Sequence, residues 1–149
     1  MKTVCLISCV KRKKPGCHPA KDLYDSTLFN YHYQYAMEVL GVEEEDIYII
    51  SAEHGLISSS AQTCNYDKTL RGMPKEERKE WASMVSTQLQ ETLDLENSNI
   101  VILAGVIYYE YLLDNIPHYE LPEALNGLPI GKRLGKLKSL VLEAREQHS

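Results

Sequence analysis

The sequence predicts an α/β fold, three-layered, with a short, mostly parallel sheet flanked by helices. Apolar runs at Thr3–Ser8, Asp46–Ser51 and Asn99–Ala104 are rich in β-branched residues and do not alternate, as in strands covered on both faces. Segments with helical apolar spacing separate these runs, and a right-handed crossover between parallel strands needs such segments.

The elements follow in order. Thr3–Ser8 is the first strand, and Lys11–Lys21, punctuated by Pro15, Gly16 and Pro19, reads as a loop. Asp25 or Ser26 caps a helix over Thr27–Leu40, with Leu28, Tyr31, Tyr35 and Val39 as its apolar stripe and Gly41 as its stop. Asp46–Ser51 is the second strand; Ala52–Leu56 is a loop and Ser58–Leu70 is irregular. Pro74 suits the first turn of a helix running to about Leu93, whose inward face is Trp81, Met84, Val85, Leu89 and Leu93. Asn99–Ala104 is the third strand, ended by Gly105, and Val106–Leu113 is a short helix. Ile116–Pro129 is a proline-bearing loop, and a last helix over Gly131–Arg145 turns Leu134, Leu137, Leu140, Val141 and Ala144 inward.

The chain has 149 residues, a length that suits one α/β domain over 1–149. An apolar fraction of 44 % and a charged fraction of 25 % exclude a disordered or collagen-like chain. No apolar run is long enough for a membrane span, and Met1–Cys9 is too short for a signal peptide. The expected location is the cytoplasm, where Cys5, Cys9, Cys17 and Cys64 would be reduced.

The net charge of −5 is unevenly spread. Residues 1–24 hold six Lys/Arg and one Asp, whereas residues 25–149 hold ten Lys/Arg and twenty Asp/Glu. A second basic cluster, Lys132, Arg133, Lys136 and Lys138, interrupts the acidic part. Duplex DNA is therefore not a favoured partner, since it demands a broad positive surface. Focused basic patches on an acidic body fit a small phosphorylated ligand or a nucleobase-bearing guest. No membrane partner is expected, and the composition sets no oligomeric state.

In a parallel sheet, ligands bind beyond the carboxyl ends of the strands. Ser8, Cys9, Lys11 and Lys13 follow the first strand and offer a hydroxyl, a thiol and ammonium groups to an anion. Walker and GxGxxG spacings are absent. Glu53, His54 and Gly55 follow the second strand: His54 can carry a proton near neutral pH, Glu53 can activate a water, and Gly55 allows positive φ or a close ligand approach. Tyr66 and Asp67 end the next loop and can meet a base or ribose. Gly105 closes the set after the third strand. Cys9 with His54 outlines a Cys/His pair, and ten tyrosines offer material for an aromatic wall. No CxxC or HExxH spacing occurs, so no metal or other cofactor is expected.

Several motifs occur together: Ser8-Cys9-x-Lys11-x-Lys13, Ala20-Lys21-Asp22-Leu23-Tyr24-x-Ser26-x-Leu28-Phe29, Ser51-Ala52-x-His54-Gly55-Leu56, Tyr66-Asp67-x-x-Leu70 and Leu125-x-Gly127-Leu128-x-Ile130-Gly131. The set resembles a family of small uncharacterised domains of bacteria and phages, distantly similar to the YaaA peroxide-stress proteins. A weaker likeness runs to the nucleobase-handling domain of archaeosine synthase and to uracil-DNA-glycosylase-like folds. The resemblance implies a glycosylase-like architecture and a role near DNA or its bases under stress or in phage defence. The glycosylase water-activating motif, an Asp after Gly-Gln beside Pro-Tyr, is missing.

The leading expectation is a nucleotide- or nucleobase-handling domain that cleaves or transfers at an N-glycosidic bond. Ser8, Lys11 and Lys13 would hold phosphate, Tyr66 and Asp67 would meet the base, and His54 with Glu53 would perform acid/base work. A non-catalytic nucleotide or nucleic-acid binding protein is the alternative. A regulatory protein using the Lys132–Lys138 face is a third.

Overall fold

A computed structural model describes residues 1–123 and 125–147. It contains strands β1 (Lys2–Ser8), β2 (Cys17–Pro19), β3 (Ile47–Ser51), β4 (Gly55–Ser58), β5 (Gln62–Cys64), β6 (Ser98–Leu103) and β7 (Tyr119–Glu120). Its α-helices are α1 (Ala20–Leu23), α2 (Thr27–Gln34), α3 (Lys75–Thr92), α4 (Val106–Tyr109) and α5 (Ile130–Gln147). The main sheet runs β4-β3-β1-β6-β7, and β1, β3, β6 and β7 are parallel. The α/β class and the mostly parallel sheet agree with the sequence patterning.

β1 occupies the middle because its side chains tolerate cover on both faces. Val4, Cys5, Leu6 and Ile7 are fully buried, as are Ile47, Ile49 and Ile50 of β3 and Ile100 and Leu103 of β6. Each such aliphatic side chain contributes roughly 1.5–3 kcal/mol of transfer free energy. From β1 the chain crosses one way through α2 to β3; from β3 it crosses back through α3 to β6. Right-handed crossovers of opposite direction place the two helices on opposite faces. Accordingly α2 packs with α5, while α3 packs with β4 and α4.

Several local expectations are corrected. Residues 11–21 contain β2 and the start of α1. Gly55–Ser58 returns antiparallel along β3, with Ile50 opposite Leu56. Residues 58–70 include β5, which pairs with β2 in a separate two-stranded sheet. The loop over 116–129 includes β7. These strands are two to four residues long, too short to show a period. Cys17 and Cys64 face each other across β2 and β5 and form a disulfide, contrary to the expected reduced state; Cys5 and Cys9 are free and buried.

Ser26 caps α2, its Oγ accepting from Phe29 N at 3.3 Å. The helix widens to a π-turn over Tyr35–Val39 before Gly41 stops it at φ +67°. On α3 the inward face is Trp81, Ala82, Val85, Ser86 and Leu89, and Met84 lies 41 % exposed at its border. On α5 the inward side chains are Leu137, Val141 and Ala144, with Leu134 and Leu140 half-buried. No helix among the described residues is long and apolar enough to cross a membrane.

Arg133 does not share the exposed face of Lys132, Lys136 and Lys138. It turns inward, where Nε donates to His32 Nε2 at 3.0 Å and Nη1 donates to the Leu125 carbonyl at 3.1 Å. Burial, with the neighbouring guanidinium second, pushes the His32 imidazole down to about 3. His32 is thus neutral in the folded chain and takes up a proton below pH 6.5 only on unfolding. The unfolded state binds more protons between these two values, so folding stability falls as pH drops through that window. Between pH 7 and pH 5 this group alone should remove about 2 kcal/mol, read as a lower urea midpoint. His32→Gln keeps an acceptor for Arg133 and should flatten that part of the pH dependence; an unchanged slope would show that His32 is not its source.

Candidate functional site

The carboxyl ends of β1, β3 and β6 lie side by side, as parallel pairing requires. β1 and β6 are neighbours whose onward connections leave in opposite directions, the position where such sheets form a ligand crevice. Here side chains fill it. Cys9 follows the half-buried Ser8 and extends the ladder, its N–H donating to the Ile50 carbonyl at 3.1 Å. Its buried Sγ lies 3.5 Å from Tyr108 Oη and accepts from Ala52 N at 3.4 Å. The thiol therefore faces Tyr108 and Ala52 rather than His54.

Ser51 joins the segments beside this plug. It is fully buried at the end of β3. Its Oγ donates to Tyr66 Oη at 2.7 Å and accepts from the N–H groups of Glu53 and His54 at 3.2 and 3.1 Å. Its carbonyl accepts from Trp81 Nε1 at 2.9 Å. Tyr66 Oη also lies 2.8 Å from Tyr24 Oη. Burial, chiefly, pushes the Tyr66 phenol far above its ordinary value and Tyr24 up to about 12. Both rings stay protonated and serve as hydrogen-bonding struts.

The basic loop reaches the same place by folding back on itself. Lys14 N donates to the Leu23 carbonyl at 2.8 Å and Asp25 N to the Arg12 carbonyl at 3.0 Å, which sets Lys13 over the tyrosines. Lys13 Nζ sits 4.2 Å from the Tyr66 ring centroid, a cation–π contact, and donates to the Lys11 carbonyl at 3.0 Å. Burial draws its ammonium below the ordinary value. The His54 ring meets the Tyr66 ring edge-on, with centroids 5.2 Å apart. Residues 13, 54 and 66 are thus brought together. Tyr66 meets Lys13 and His54 through its ring and is tied at its hydroxyl, so it is a junction more than an open stacking platform.

Gly55 has φ +70°, and a Cβ there would collide with Gln88 Oε1 and lie 2.8 Å from Met84 Cε. Gln88 clamps the turn: Leu56 N donates to its Oε1 at 2.7 Å, and its Nε2 donates to the His54 carbonyl at 3.2 Å. Turn geometry and the approach of α3 account for this glycine.

Among the described residues, clefts open near these loops. One, of 540 Å³, is lined by Glu53, His54 and Tyr66 together with Ile57, Gln62 and Asn65. Gly105 borders a separate 490 Å³ cleft with Arg71 and Arg78, the latter paired with Glu110. A third, of 390 Å³, joins Glu53 to Lys68, Glu77, Glu80 and Trp81. Lys11 and Asp67 are exposed and lie outside all three, although the Asp67 charge acts on Lys13. Among the described residues no group of three or more His, Cys, Asp or Glu side chains is arranged to hold a metal ion.

The predicted set is therefore divided. Glu53, His54 and Tyr66 share one cleft and Lys13 covers Tyr66; Ser8 and Cys9 lie beneath; Gly105 stands apart. The sequence reading missed the supporting roles of Ser51, Tyr24, Tyr108 and Gln88. Trp81 gave a usable signal, since a buried indole N–H needs an acceptor.

A family of unknown function (DUF6884) matches residues 4–139, and the chain belongs to it. No curated protein and no solved structure matches the chain.

Ser51→Ala should lower the unfolding free energy by about 1–3 kcal/mol, because it strips a buried partner from Tyr66 Oη and from two turn amides. The urea midpoint followed by Trp81 fluorescence measures it, and an unchanged midpoint would remove Ser51 as the junction. Gly55→Ala should also destabilise, through positive φ and contact with Gln88, and the same measurement should show it.

Proposed function

We propose that this DUF6884 member handles a nucleobase-bearing small molecule in the 540 Å³ cleft and cleaves or transfers at its N-glycosidic bond. The observation that carries this reading is the meeting of Glu53, His54 and Tyr66, with two side-chain amides, in a single cleft. Its volume falls within the roughly 300–1,000 Å³ usual for small-molecule sites. Gln62 and Asn65 offer both donors and acceptors, which a base edge requires, and Ile57 offers apolar surface.

In the proposed hydrolysis, Glu53 takes a proton from water as the water oxygen bonds to the anomeric carbon. The carbon–nitrogen bond breaks, its electron pair leaves with the base, and His54 supplies the proton the departing nitrogen needs. Water and substrate become free base and sugar. This assigns water activation to Glu53, consistent with the missing glycosylase Asp motif. Lys13 lies beside Tyr66 and would face the phosphate of a phosphorylated substrate. The distant resemblance of the motifs to YaaA-type proteins, with the weaker architectural likeness to glycosylase-like folds, supports a base-handling role. The net charge of −5 favours a small guest over duplex DNA.

Incubation with nucleosides, nucleotides and modified-base oligonucleotides, with free base separated by chromatography, tests the proposal. Release from at least one substrate is expected, and Glu53→Gln or His54→Gln should each reduce kcat by about 10²–10⁴-fold. Binding without release, unaltered by His54→Gln, would replace the catalytic reading with a binding one. Neither release nor a thermal shift with any member of the panel would overturn both.

A further inference from the structure

β2 and β5 pair with each other and stand apart from the main sheet. A ribbon of three residues per strand has little stability of its own. The Cys17–Cys64 disulfide crosses it at directly opposed positions. Beyond the ladder, Ala20 N donates to the Ala61 carbonyl at 2.8 Å, Lys21 N to the Ser59 carbonyl at 2.8 Å and Asn65 N to the Gly16 carbonyl at 2.9 Å. Thr63 is the one buried side chain of β5.

Placement ties this bond to the cleft. Cys64 lines the 540 Å³ cleft, and Gln62, Thr63 and Asn65 form the same wall. Tyr66, held by Ser51 and Tyr24, is the second residue after Cys64. Both bonded cysteines are exposed, whereas Cys5 and Cys9 are buried. Cys64 is the sulfur that borders the cleft, so it is the one an incoming small thiol meets there.

We propose that Cys17–Cys64 is an exchange site for low-molecular-weight thiols, and that its reduction loosens the β5 wall of the cleft. The thiolate of one small thiol attacks Cys64 Sγ; the sulfur–sulfur bond breaks and Cys17 leaves as thiolate, forming a mixed disulfide on Cys64. A second small thiol attacks the small-molecule sulfur of that mixed disulfide. Cys64 leaves as thiolate, and the two small thiols depart joined as their own disulfide. The protein gains two electrons, and its thiolates take up protons according to pH. In the reduced chain the ribbon keeps its hydrogen bonds without the cross-link, so Gln62–Tyr66 opens more often. The consequence for chemistry rests on the nucleobase reading above; the exchange and the loosening do not.

The experiment compares oxidised full-length chain with the same chain treated natively with reduced glutathione. Thiol alkylation followed by peptide mass mapping reads the exchange, and amide hydrogen exchange reads the wall. Native reduction should expose Cys17 and Cys64 to alkylation while Cys5 and Cys9 stay unlabelled. Amides over Gln62–Tyr66 should then exchange at least about tenfold faster while those of β1 and β6 do not change. Oxidised glutathione should reverse both effects, and a Cys17→Ser/Cys64→Ser variant should match the reduced chain. A chain purified without the disulfide under non-reducing conditions would overturn the proposal. So would a bond that yields only on unfolding, or a wall that exchanges equally in both states; should the double variant not fold, the wild-type comparison alone decides. Base release measured in both states separates the two ideas. Equal release would overturn control of the cleft, whereas absence of release in both would count against the nucleobase reading and leave the exchange rates to judge the site.

Discussion

The arrangement beyond the sheet depends on one buried hydroxyl. Ser51 is fully buried at the end of β3, so its hydroxyl needs hydrogen-bond partners within the fold. It finds them in the following turn and in Tyr66, and through Tyr66 it reaches Tyr24 and the loop that follows β1. One residue thereby fixes the direction of Glu53 and His54 and the position of the basic loop. An apolar residue of similar size would fill the space but remove the acceptor shared by two N–H groups and leave the Tyr66 hydroxyl with Tyr24 alone.

The fold also decides where a guest cannot go. Parallel sheets usually offer the crevice between strands whose connections diverge, yet Cys9 and Tyr108 meet across it. Open volume is displaced to either side, toward β4 and β5 on one flank and toward Gly105 on the other. The two flanks differ in chemistry. One joins a carboxylate, an imidazole and amides, and the other joins two guanidinium groups with apolar surface.

How much was legible in the sequence follows from the range of the interactions involved. β1, β3 and β6 were readable because burial on both faces leaves unbroken apolar runs. The Ser26 cap and the Gly41 stop were readable because each acts within a few residues. The return of Gly55–Ser58 along β3 was not, since Gln88, thirty-two residues later, helps to hold that turn. Pairing of Cys17 with Cys64 depends on a ribbon between strands of three residues, below the length at which alternation can be seen. Within the site, topology puts the ends of β1, β3 and β6 side by side, but it placed neither Tyr66 nor the separation of Gly105 into another cleft. The occupation of the Tyr66 hydroxyl and the approach of Lys13 to its ring were not legible either, because they depend on side-chain directions at Ser51 and Lys13. Arg133 shows the same limit: its charge reads as surface, and only the acceptors at His32 and Leu125 turn it inward.

The Gln88 clamp has a consequence at the margin of the sheet. Leu56 sits on an outermost strand, and its outward N–H is the kind of free donor that lets sheets of separate molecules merge into polymers. Gln88 occupies that donor. At the opposite margin β7 is two residues long, and Pro117 and Pro122, which lack N–H groups, stand on either side of it. Each border thus carries a feature that disfavours strand addition: an occupied donor on one and a short, proline-flanked strand on the other.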